Sequence, residues 1–367
     1  MTAFESFYNE NVPRLRRKIA SYNEALAQDD NALLRPFRAY MADLNEGGKC
    51  LRGLLVNLGY RLAGHDTCEE SDGAALAFEF FQTGVLIHDD IIDKASYRRG
   101  KKTMTVRYNE SMTERGLTPP ASGDTRESLS ESAALCCGDY LITAANLFLA
   151  EQYSSHPCAV PVIAEFDRII LNTIRGELLD VVLPTEITDP AHGDNSGELL
   201  MTSVYDIYHL KTSQYSVVGP LHLGMLLGGM KPEEMALVDA LADELGIAFQ
   251  IKDDLLGIYG DEEIVGKDIG SDISEFKQTI LYAFMKCRAA DRMPELLQHY
   301  GKSPATAEDV AAVRTIFEET GARRFAEDEM NACFERAGRQ MEEMTFIDEG
   351  TKAVLRDFID YCRNRLK

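Results

Sequence analysis

Three aspartates lie inside one apolar stretch of the chain. In "LIHDDIIDKASYRR", Asp89, Asp90 and Asp93 follow the apolar run "FEFFQTGVLIH". In a helix, Asp89 and Asp93 lie one turn apart on the same side, and Asp90 lies about 100° round from Asp89. Carboxylates at this spacing repel one another, and burial makes the repulsion more costly. The pattern therefore predicts that these side chains bind a cation.

A second acidic pair repeats the arrangement. Asp253 and Asp254 lie in "FQIKDDLLGIYGD", again within an apolar helical run. Neither cluster has the histidine or cysteine spacing of a zinc site, and oxygen ligands select Mg²⁺. Magnesium held by few carboxylates completes its coordination with water and substrate phosphate. Two such clusters on interior helices, facing each other across a cavity, would hold a diphosphate substrate through the metal.

Basic residues accompany these acidic segments. Lys49 and Arg52 lie in "GGKCLRG", Arg98 and Arg99 follow the first cluster, Lys211 precedes Thr212 in "YHLKTSQ", and Lys267 and Lys277 follow the second cluster. A single lysine is more often a solvated surface residue. Several basic patches beside glycine, threonine or aspartate motifs favour an anionic substrate.

Composition limits the class of protein and of partner. The chain has 367 residues, 45% of them hydrophobic, and a formal net charge of −22. This charge argues against nucleic acid and anionic membranes as partners. The eight cysteines form no Cys-x-x-Cys pair, which suits a reducing compartment. We find no signal peptide and no apolar run that approaches the length of a membrane span, so we expect a soluble, cytoplasmic protein.

Helical periodicity dominates the chain. Apolar residues recur every three and four positions in 74–92, 132–150, 162–182 and 235–258. Strand-like alternation is scarce, which argues against a doubly wound α/β fold. Polar breaks fall at 45–49, 118–128, 184–198, 260–272 and 301–306, and none is long enough for a domain linker. We expect one all-α domain of ten or more helices over 1–367, with an N-terminal helical extension (1–30) and a loop insertion at 109–131.

The ordered set of motifs closely resembles the trans-isoprenyl diphosphate synthases, the polyprenyl synthetase family. "GGKCLRG" is similar to that family's GGKxxR element, and "LIHDDIIDKASYRRGKKT" to its first aspartate-rich motif. "GELLD" (176–180), "YHLKTS" and the region from "FQIKDD" to "EFKQT" match three further elements. They occur in the family's order over about residues 35–279, and the ordered set is more specific than any one motif.

The resemblance implies a fold and a set of site residues. The fold would be the isoprenoid synthase type I bundle, an all-α homodimer whose central cavity holds an allylic diphosphate and isopentenyl diphosphate. The implied ligands of Mg²⁺, three ions with the diphosphate, are Asp89, Asp90, Asp93, Asp253 and Asp254. The implied substrate-binding residues are Arg98, Lys211, Lys267 and Lys277 for the allylic diphosphate region, and Lys49, Arg52, Gln82 and Arg99 for isopentenyl diphosphate. Thr212 and Gln250 would line the reacting centre with their oxygens.

The implied reaction is a head-to-tail 1′–4 condensation. Metal and basic side chains stabilise the departing diphosphate, so that the carbon–oxygen bond ionises to an allylic cation. Apolar walls exclude water from that cation. The alkene of isopentenyl diphosphate then attacks, and the family assigns the departing proton to the released diphosphate. We therefore expect no side-chain base.

Two residues depart from the family's pattern. Cys50 stands where the family has an arginine after the GGK lysine, which would weaken one diphosphate contact and raise the KM for isopentenyl diphosphate. Gly257 replaces the third aspartate of the second acidic motif. It would leave the metal site less anionic without abolishing activity.

Product length depends on the residues before the first aspartate. Gly84 and Val85 are too small to stop chain growth early. Phe81, eight residues and about two turns before Asp89, would form a floor with Phe80 beside it. Each turn advances ~5.4 Å, near the length of one isoprene unit. We expect geranylgeranyl diphosphate as the main product and farnesyl diphosphate second. Plain core packing of Phe81 is an equal alternative.

Three other functions fit the sequence less well. A class I terpene cyclase needs an Asn/Asp–Ser/Thr–Glu motif, which does not follow "FQIKDD", and it has no use for a second diphosphate site. A phosphohydrolase, suggested by His88–Asp89, would need further histidines in a pattern that the seven present do not form. A non-catalytic subunit of a heteromeric prenyl synthase stays open because of Cys50 and Gly257.

Overall fold

The computed structural model describes residues 1–26, 31–120, 123–188, 196–260 and 270–365. The chain forms two compact units. The amino-terminal unit comprises Glu5–Ala164 and Leu223–Gly229. The carboxy-terminal unit comprises Met1–Phe4, Glu165–His222 and Met230–Lys367. The single domain over 1–367 stays a prediction.

Helices make up most of both units. The elements up to residue 152 are α1 (Ala3–Leu26), α2 (Arg35–Asn45), α3 (Leu51–Leu62), α4 (Asp72–Ile92), strands β1 (Tyr97–Arg98) and β2 (Lys101–Lys102), α5 (Met104–Glu114) and α6 (Arg126–Gln152). The next are α7 (Ala159–Glu186), α8 (Ser196–Ile207), a π-helix (Tyr208–Val218), α9 (Gly219–Leu227) and α10 (Pro232–Tyr259). The last are α11 (Ser271–Ser274), α12 (Ile280–Arg288), a 3₁₀ turn (Ala290–Arg292), α13 (Met293–Leu296), α14 (Ala307–Thr320), α15 (Ala322–Glu343) and α16 (Glu349–Asn364).

The prediction of an all-α protein is confirmed. The four periodic segments at 74–92, 132–150, 162–182 and 235–258 lie within α4, α6, α7 and α10. Within the described ranges, the hairpin of β1 and β2 is the whole of the β structure.

The loop predicted at 109–131 is shorter in the structure. Helix α5 continues to Glu114, and α6 begins at Arg126. The start of α6 is fixed by a capping box, in which the Ser128 N–H donates to Thr125 Oγ1 and the Thr125 N–H donates to Ser128 Oγ, both at 3.0 Å. Such a box satisfies two backbone donors that the helix leaves unpaired, so a polar stretch that predicts a loop here begins a helix.

Helix α4 forms the centre of the amino-terminal unit. It is apolar nearly all round, and most of its side chains from Asp72 to Gly84 are buried. Helix α6 approaches it closely at Gly84, where an added Cβ would lie 2.8 Å from the Gly138 carbonyl oxygen and from Ile142 Cγ1. A side chain at this position would push the two helices apart. The packing thus explains the glycine and holds the helix that carries the first aspartate cluster.

Helix α6 is the one described helix that is long and apolar enough, by length and composition, to cross a membrane. The expectation that no segment approaches that length was therefore too strict. Only 33% of its most apolar stretch is buried inside the protein. Long apolar helices of soluble bundles meet the same criteria, so this one helix is weak support for a membrane segment.

Candidate active site

The first aspartate cluster lies at the end of α4. Asp93 follows the last helical residue, and its N–H donates to the Asp89 carbonyl at 2.8 Å. The hairpin that follows turns through Arg99 and Gly100, whose φ angles of 54° and 73° are both positive, as a type I′ turn requires. This tight reversal brings Arg98 back onto the aspartates.

Arg98 bridges two carboxylates of the cluster. Its Nη2 donates to Asp89 Oδ2 at 2.7 Å, and its Nε donates to Asp90 Oδ1 at 2.6 Å. Asp90 is only 4% exposed, and burial raises its pKa to about 6 although Arg98 opposes the rise. The guanidinium shows that this carboxylate pair stabilises a cation.

A second cluster of polar and basic side chains lies in the same unit, around the "GGK" turn. Arg99 donates to the Gly47 carbonyl, and its guanidinium lies 2.6 Å from where a Cβ at Gly48 would stand. With the Gln82 amide oriented so that its oxygen faces the neighbouring donors, that oxygen accepts from Arg99 Nη2 at 3.0 Å and from Arg52 Nη1 at 2.9 Å. The structure thus brings together Arg52, Gln82 and Arg99, as predicted, beside the turn that carries Lys49.

A small pocket lies beside these charges. Its lining combines apolar side chains with three charged ones: Leu44, Thr83, Leu86, Ile87, Asp90, Arg98 and Arg99. The pocket therefore offers an apolar wall next to both basic residues of the hairpin turn.

In the carboxy-terminal unit, Lys211 lies on the π-helix between two carboxylates. Its Nζ lies 2.7 Å from Asp180 Oδ2 and 2.9 Å from Glu177 Oε2, the acidic residues of "GELLD". Gly176 lets α7 come this close, because an added Cβ would lie 2.8 Å from Lys211 Cα. The widened turns of π-helices are frequent at functional sites. Here the π-helix presents Lys211 and Thr212 from consecutive positions.

A chain of hydrogen bonds fixes Thr212. Thr212 Oγ1 donates to Gln250 Oε1 at 2.6 Å, and Gln250 Nε2 donates to Asp254 Oδ1 at 2.9 Å. The Tyr208 hydroxyl donates to the other Asp254 oxygen and accepts from the Ile280 N–H at 2.8 Å. Asp254, predicted as a metal ligand, accepts hydrogen bonds at both oxygens and is 4% exposed. Burial raises its pKa to about 7, and its ligand role stays a prediction.

Asp253, the first aspartate of the second motif, holds a guanidinium from the end of the chain. Arg365 donates to Asp253 Oδ1, and it also donates to the Phe249 carbonyl at 3.3 Å. The guanidinium carbon lies 3.5 Å from the centroid of the Phe249 ring. Like Asp89 and Asp90, Asp253 is paired with a cation.

The carboxylates have the chemistry of a magnesium site without a preformed cluster. Among the residues that the structure describes, no three His, Cys, Asp or Glu side chains are grouped to hold an ion. Magnesium usually keeps several waters and takes substrate oxygens, so it does not need an all-protein cage. Asp89 and Asp90 in the amino-terminal unit, and Asp253 in the carboxy-terminal unit, are oxygen donors paired with guanidinium groups. Donors of this type fit Mg²⁺.

The sequence also matches known proteins. The family model for polyprenyl synthetase matches residues 35–317. The chain belongs to the polyprenyl synthetase family. It is 26% identical over 328 residues to geranylfarnesyl diphosphate synthase of Aeropyrum pernix, covering 88% of this chain and 92% of that one. It is 31% identical over 287 residues to farnesyl diphosphate synthase of Geobacillus stearothermophilus, covering 75% and 82%.

Solved structures of the polyprenyl synthetase family share the fold. The geranylgeranyl pyrophosphate synthase from Corynebacterium glutamicum, solved in complex with isoprenyl diphosphate and magnesium, superposes with a TM-score of 0.85 at 26% identity. The match covers 99% of both chains. The predicted family and its isoprenoid synthase fold are confirmed.

Gly257, a departure from the polyprenyl synthetase pattern, is explained by a neighbouring carboxylate. A Cβ at Gly257 would lie 3.0 Å from Asp272 Cγ and closer still to one of its oxygens. Asp272 thus occupies the space that a third aspartate side chain would need. Its Oδ1 also lies 3.8 Å from Lys277 Nζ, which lies 3.1 Å from Glu275 as well. The predicted Lys267 lies outside the described residues.

The predicted chain-length residues are differently placed. Gly84 faces the backbone of α6, as described above, so a larger residue there would disturb helix packing. Phe81 is buried and packs edge-on to Phe78, with ring centroids 6.3 Å apart. Phe80 stacks on Tyr22 of α1 at 4.3 Å. Phe80 is therefore a core residue, and the role of Phe81 and Val85 in product length stays a prediction.

Sequence reasoning missed three side chains that the structure brings to these groups. Arg365 lies 112 positions from Asp253, and Arg16 of α1 reaches the "GGK" turn from 32 positions away. Neither lies in a motif, so no local signal identified them. Tyr208 lies inside "YHLKTS" and is a polar residue on a buried helical face. Its place in this motif could have identified it from the sequence.

Proposed function

We propose that this polyprenyl synthetase condenses isopentenyl diphosphate with an allylic diphosphate, head to tail, in a Mg²⁺-dependent reaction. One observation carries the proposal. The consecutive residues Arg98 and Arg99 serve different groups: Arg98 pairs with Asp89 and Asp90, whereas Arg99 joins Gln82 and the "GGK" turn. The first group has the two aspartates of a metal-type site, whereas the second has one buried carboxylate, Glu79, among several basic residues, as two different diphosphates would need.

Family membership makes prenyl chain elongation the activity of this enzyme and does not favour a terpene cyclase. A cyclase uses one diphosphate, so the group of Arg52, Gln82 and Arg99 would have no ligand in it. A non-catalytic subunit is equally disfavoured, because both motif aspartates are present. Asp89 pairs with Arg98, and Asp253 pairs with Arg365.

For the metal, we propose Asp89, Asp90, Asp93 and Asp253 as the ligands, with three ions and the diphosphate. When bound, Mg²⁺ supplies charge neutralisation of the leaving diphosphate. Arg98 and Arg365 would release their carboxylates as the ions bind. Asp254 would orient Gln250, a role that its hydrogen bonds to Tyr208 and Gln250 support.

The remaining residues act on the substrates directly. Arg98, Lys211, Lys267 and Lys277 would bind the allylic diphosphate, and Lys49, Arg52, Gln82 and Arg99 isopentenyl diphosphate. The Thr212 hydroxyl donates its hydrogen bond to Gln250. The lone pairs of the Thr212 oxygen therefore remain available to face a developing allylic cation. Such oriented dipoles stabilise charge without reorganisation. We propose geranylgeranyl diphosphate as the main product, with farnesyl diphosphate second.

We also propose that the enzyme is a homodimer and cytoplasmic. On α7, Leu171, Ile174, Leu178 and Val181 recur at helical spacing, and all are about half exposed or more, with Leu171 and Leu178 at 61%. On α6, Leu135 and Leu147 are exposed as well. Apolar helix faces of this kind mark association surfaces, and a second copy of the chain is the partner that the family implies. Sedimentation of the purified chain tests this, and a monomer at micromolar concentration would contradict it.

Steady-state kinetics of two adjacent variants test the two-diphosphate proposal. Arg99→Gln should raise the KM for isopentenyl diphosphate about tenfold or more, because a charge-assisted hydrogen bond is worth ~1.5–3 kcal/mol. Arg98→Gln should instead raise the KM for the allylic diphosphate and the Mg²⁺ requirement. Lys94 is an exposed residue between α4 and the β1–β2 hairpin, and Lys94→Gln serves as the control. If both arginine variants affected the same substrate equally, the assignment of two groups would be wrong.

A further inference from the structure

Arg16 is a basic residue that no motif includes, yet it lies at the "GGK" turn. Its Nη2 donates to the Gly48 carbonyl at 3.2 Å. Its positive charge also lowers the pKa of the thiol of Cys50, the position where the family has an arginine. Arg16 thus brings a guanidinium to the side chain that departs from the family's pattern.

The position of Arg16 is fixed by the rest of α1. Arg14 and Lys18, on either side of it, both bind the buried carboxylate of Asp72, at 2.7 Å each. Leu15 and Ile19 are buried in the core. A helix held by a buried ion pair and by its apolar face cannot rotate freely. The approach of Arg16 to the turn is therefore built into the docking of α1.

The charges around Arg16 favour an anion. Arg16, Arg52 and Arg99 all interact with the single buried carboxylate of Glu79, which also accepts from the Gly53 N–H at 2.8 Å. Burial raises the pKa of Glu79, and the three arginines oppose the rise. Even with Glu79 ionised, three guanidinium groups and one carboxylate leave a local positive excess in a chain of net charge −22.

Cys50 itself adds no charge to this group. It is buried, and burial raises the pKa of its thiol to about 11, with Arg16 opposing the rise. At neutral pH the side chain is a neutral thiol. The cation missing from position 50 is present 34 positions earlier in the chain, on Arg16.

We propose that Arg16 is a substrate-binding residue that contacts the diphosphate of isopentenyl diphosphate and replaces the arginine absent at position 50. The inference rests on the proposed function, since it assigns a further ligand to the same substrate. On substrate binding, the flexible guanidinium exchanges the Gly48 carbonyl for a phosphate oxygen, a stronger acceptor. No covalent step is involved.

Kinetics of Arg16→Gln test the proposal. The KM for isopentenyl diphosphate should rise about tenfold, as expected for the loss of one charge-assisted hydrogen bond. The KM for the allylic diphosphate and kcat should stay within about twofold. Arg17→Gln, the exposed neighbour on the same helix, is the control and should leave all three constants unchanged. Thermal unfolding of both variants checks that α1 stays docked.

A second substitution separates substrate binding from support of the turn. Adding Cys50→Arg to Arg16→Gln should restore the KM for isopentenyl diphosphate to within about threefold of the parent, because the guanidinium returns without the bond to Gly48. If Arg16→Gln behaved like Arg17→Gln, or raised both KM values together, the inference would be wrong while the proposed function stood. If the unsubstituted enzyme did not incorporate isopentenyl diphosphate, the proposed function itself would fail.

Discussion

The contact between Gly176 and the π-helix makes a sharp prediction for Gly176→Ala. A Cβ at this position would lie 2.8 Å from Lys211 Cα and 2.9 Å from the Leu210 carbonyl carbon, and closer still to the Lys211 nitrogen. All three are backbone atoms, so no side-chain rotation can relieve the clash. The added methyl group must push the backbone of Lys211 away from α7.

The size of the displacement follows from the same distances. Ordinary van der Waals contacts begin near 3.4 Å, so the Lys211 backbone must move by 0.6 Å or more. Overpacking of this kind costs ~1–3 kcal/mol, partly offset by the ~1 kcal/mol that alanine gains over glycine in a helix. A misplacement of about 1 Å at a catalytic group can cost ~100-fold. We expect kcat to fall on the order of tenfold, with a net stability loss of ~1 kcal/mol.

Gly338→Ala is the matched control. Gly338 lies in α15, and a Cβ there would meet no atom within 4 Å. This variant should gain ~0.5–1 kcal/mol in free energy of unfolding and keep its activity. Urea denaturation and initial rates measure both effects. If Gly176→Ala matched Gly338→Ala in stability and kept its kcat within twofold, the close approach of α7 to Lys211 would be refuted.

Three further predictions concern the metal ligands, product length and pH. Arg365→Gln should tighten Mg²⁺ binding in the presence of inorganic pyrophosphate several-fold in calorimetry, because it frees Asp253; unchanged affinity would show that Arg365 does not compete. Phe81→Ala should give longer prenyl products on a chromatogram, and an unaltered distribution would assign Phe81 to the core alone. Burial raises the pKa of Asp254 in the folded protein to about 7, above its ordinary value of 3.8. The free energy of unfolding should therefore fall as the pH rises from 4 to 7, by up to ~1.4 kcal/mol per pH unit. With a metal chelator present, the free energy of unfolding of Asp254→Asn should therefore depend less on pH over this range than that of the parent protein. Parallel pH profiles of the variant and the parent would contradict the raised pKa of Asp254.

The long helices were predictable from sequence because their apolar residues recur at helical spacing. The runs that became α4, α6, α7 and α10 are long and continuously apolar, so burial and helical spacing agree. The start of α6 was misjudged because a capping box of Thr125 and Ser128 lies in a polar stretch that also predicts a loop. Local composition does not separate these two cases.

The site was predictable as far as its residues lie in motifs. Arg52, Gln82 and Arg99 were predicted as one group and are found together. Asp254 was predicted as a ligand because it follows Asp253, and its hydrogen bond from the Tyr208 hydroxyl was not predicted. Arg16 and Arg365 depend on how α1 and the end of the chain pack, and no short-range pattern encodes such contacts.

Product analysis of the purified chain alone tests the central claim most directly. The chain is incubated with Mg²⁺, radiolabelled isopentenyl diphosphate and farnesyl diphosphate, and the dephosphorylated products are separated by chromatography. We predict a labelled linear alcohol one isoprene unit longer than farnesol, which disappears when the metal is chelated. A cyclic hydrocarbon, or no labelled product until a second protein is added, would contradict the assignment.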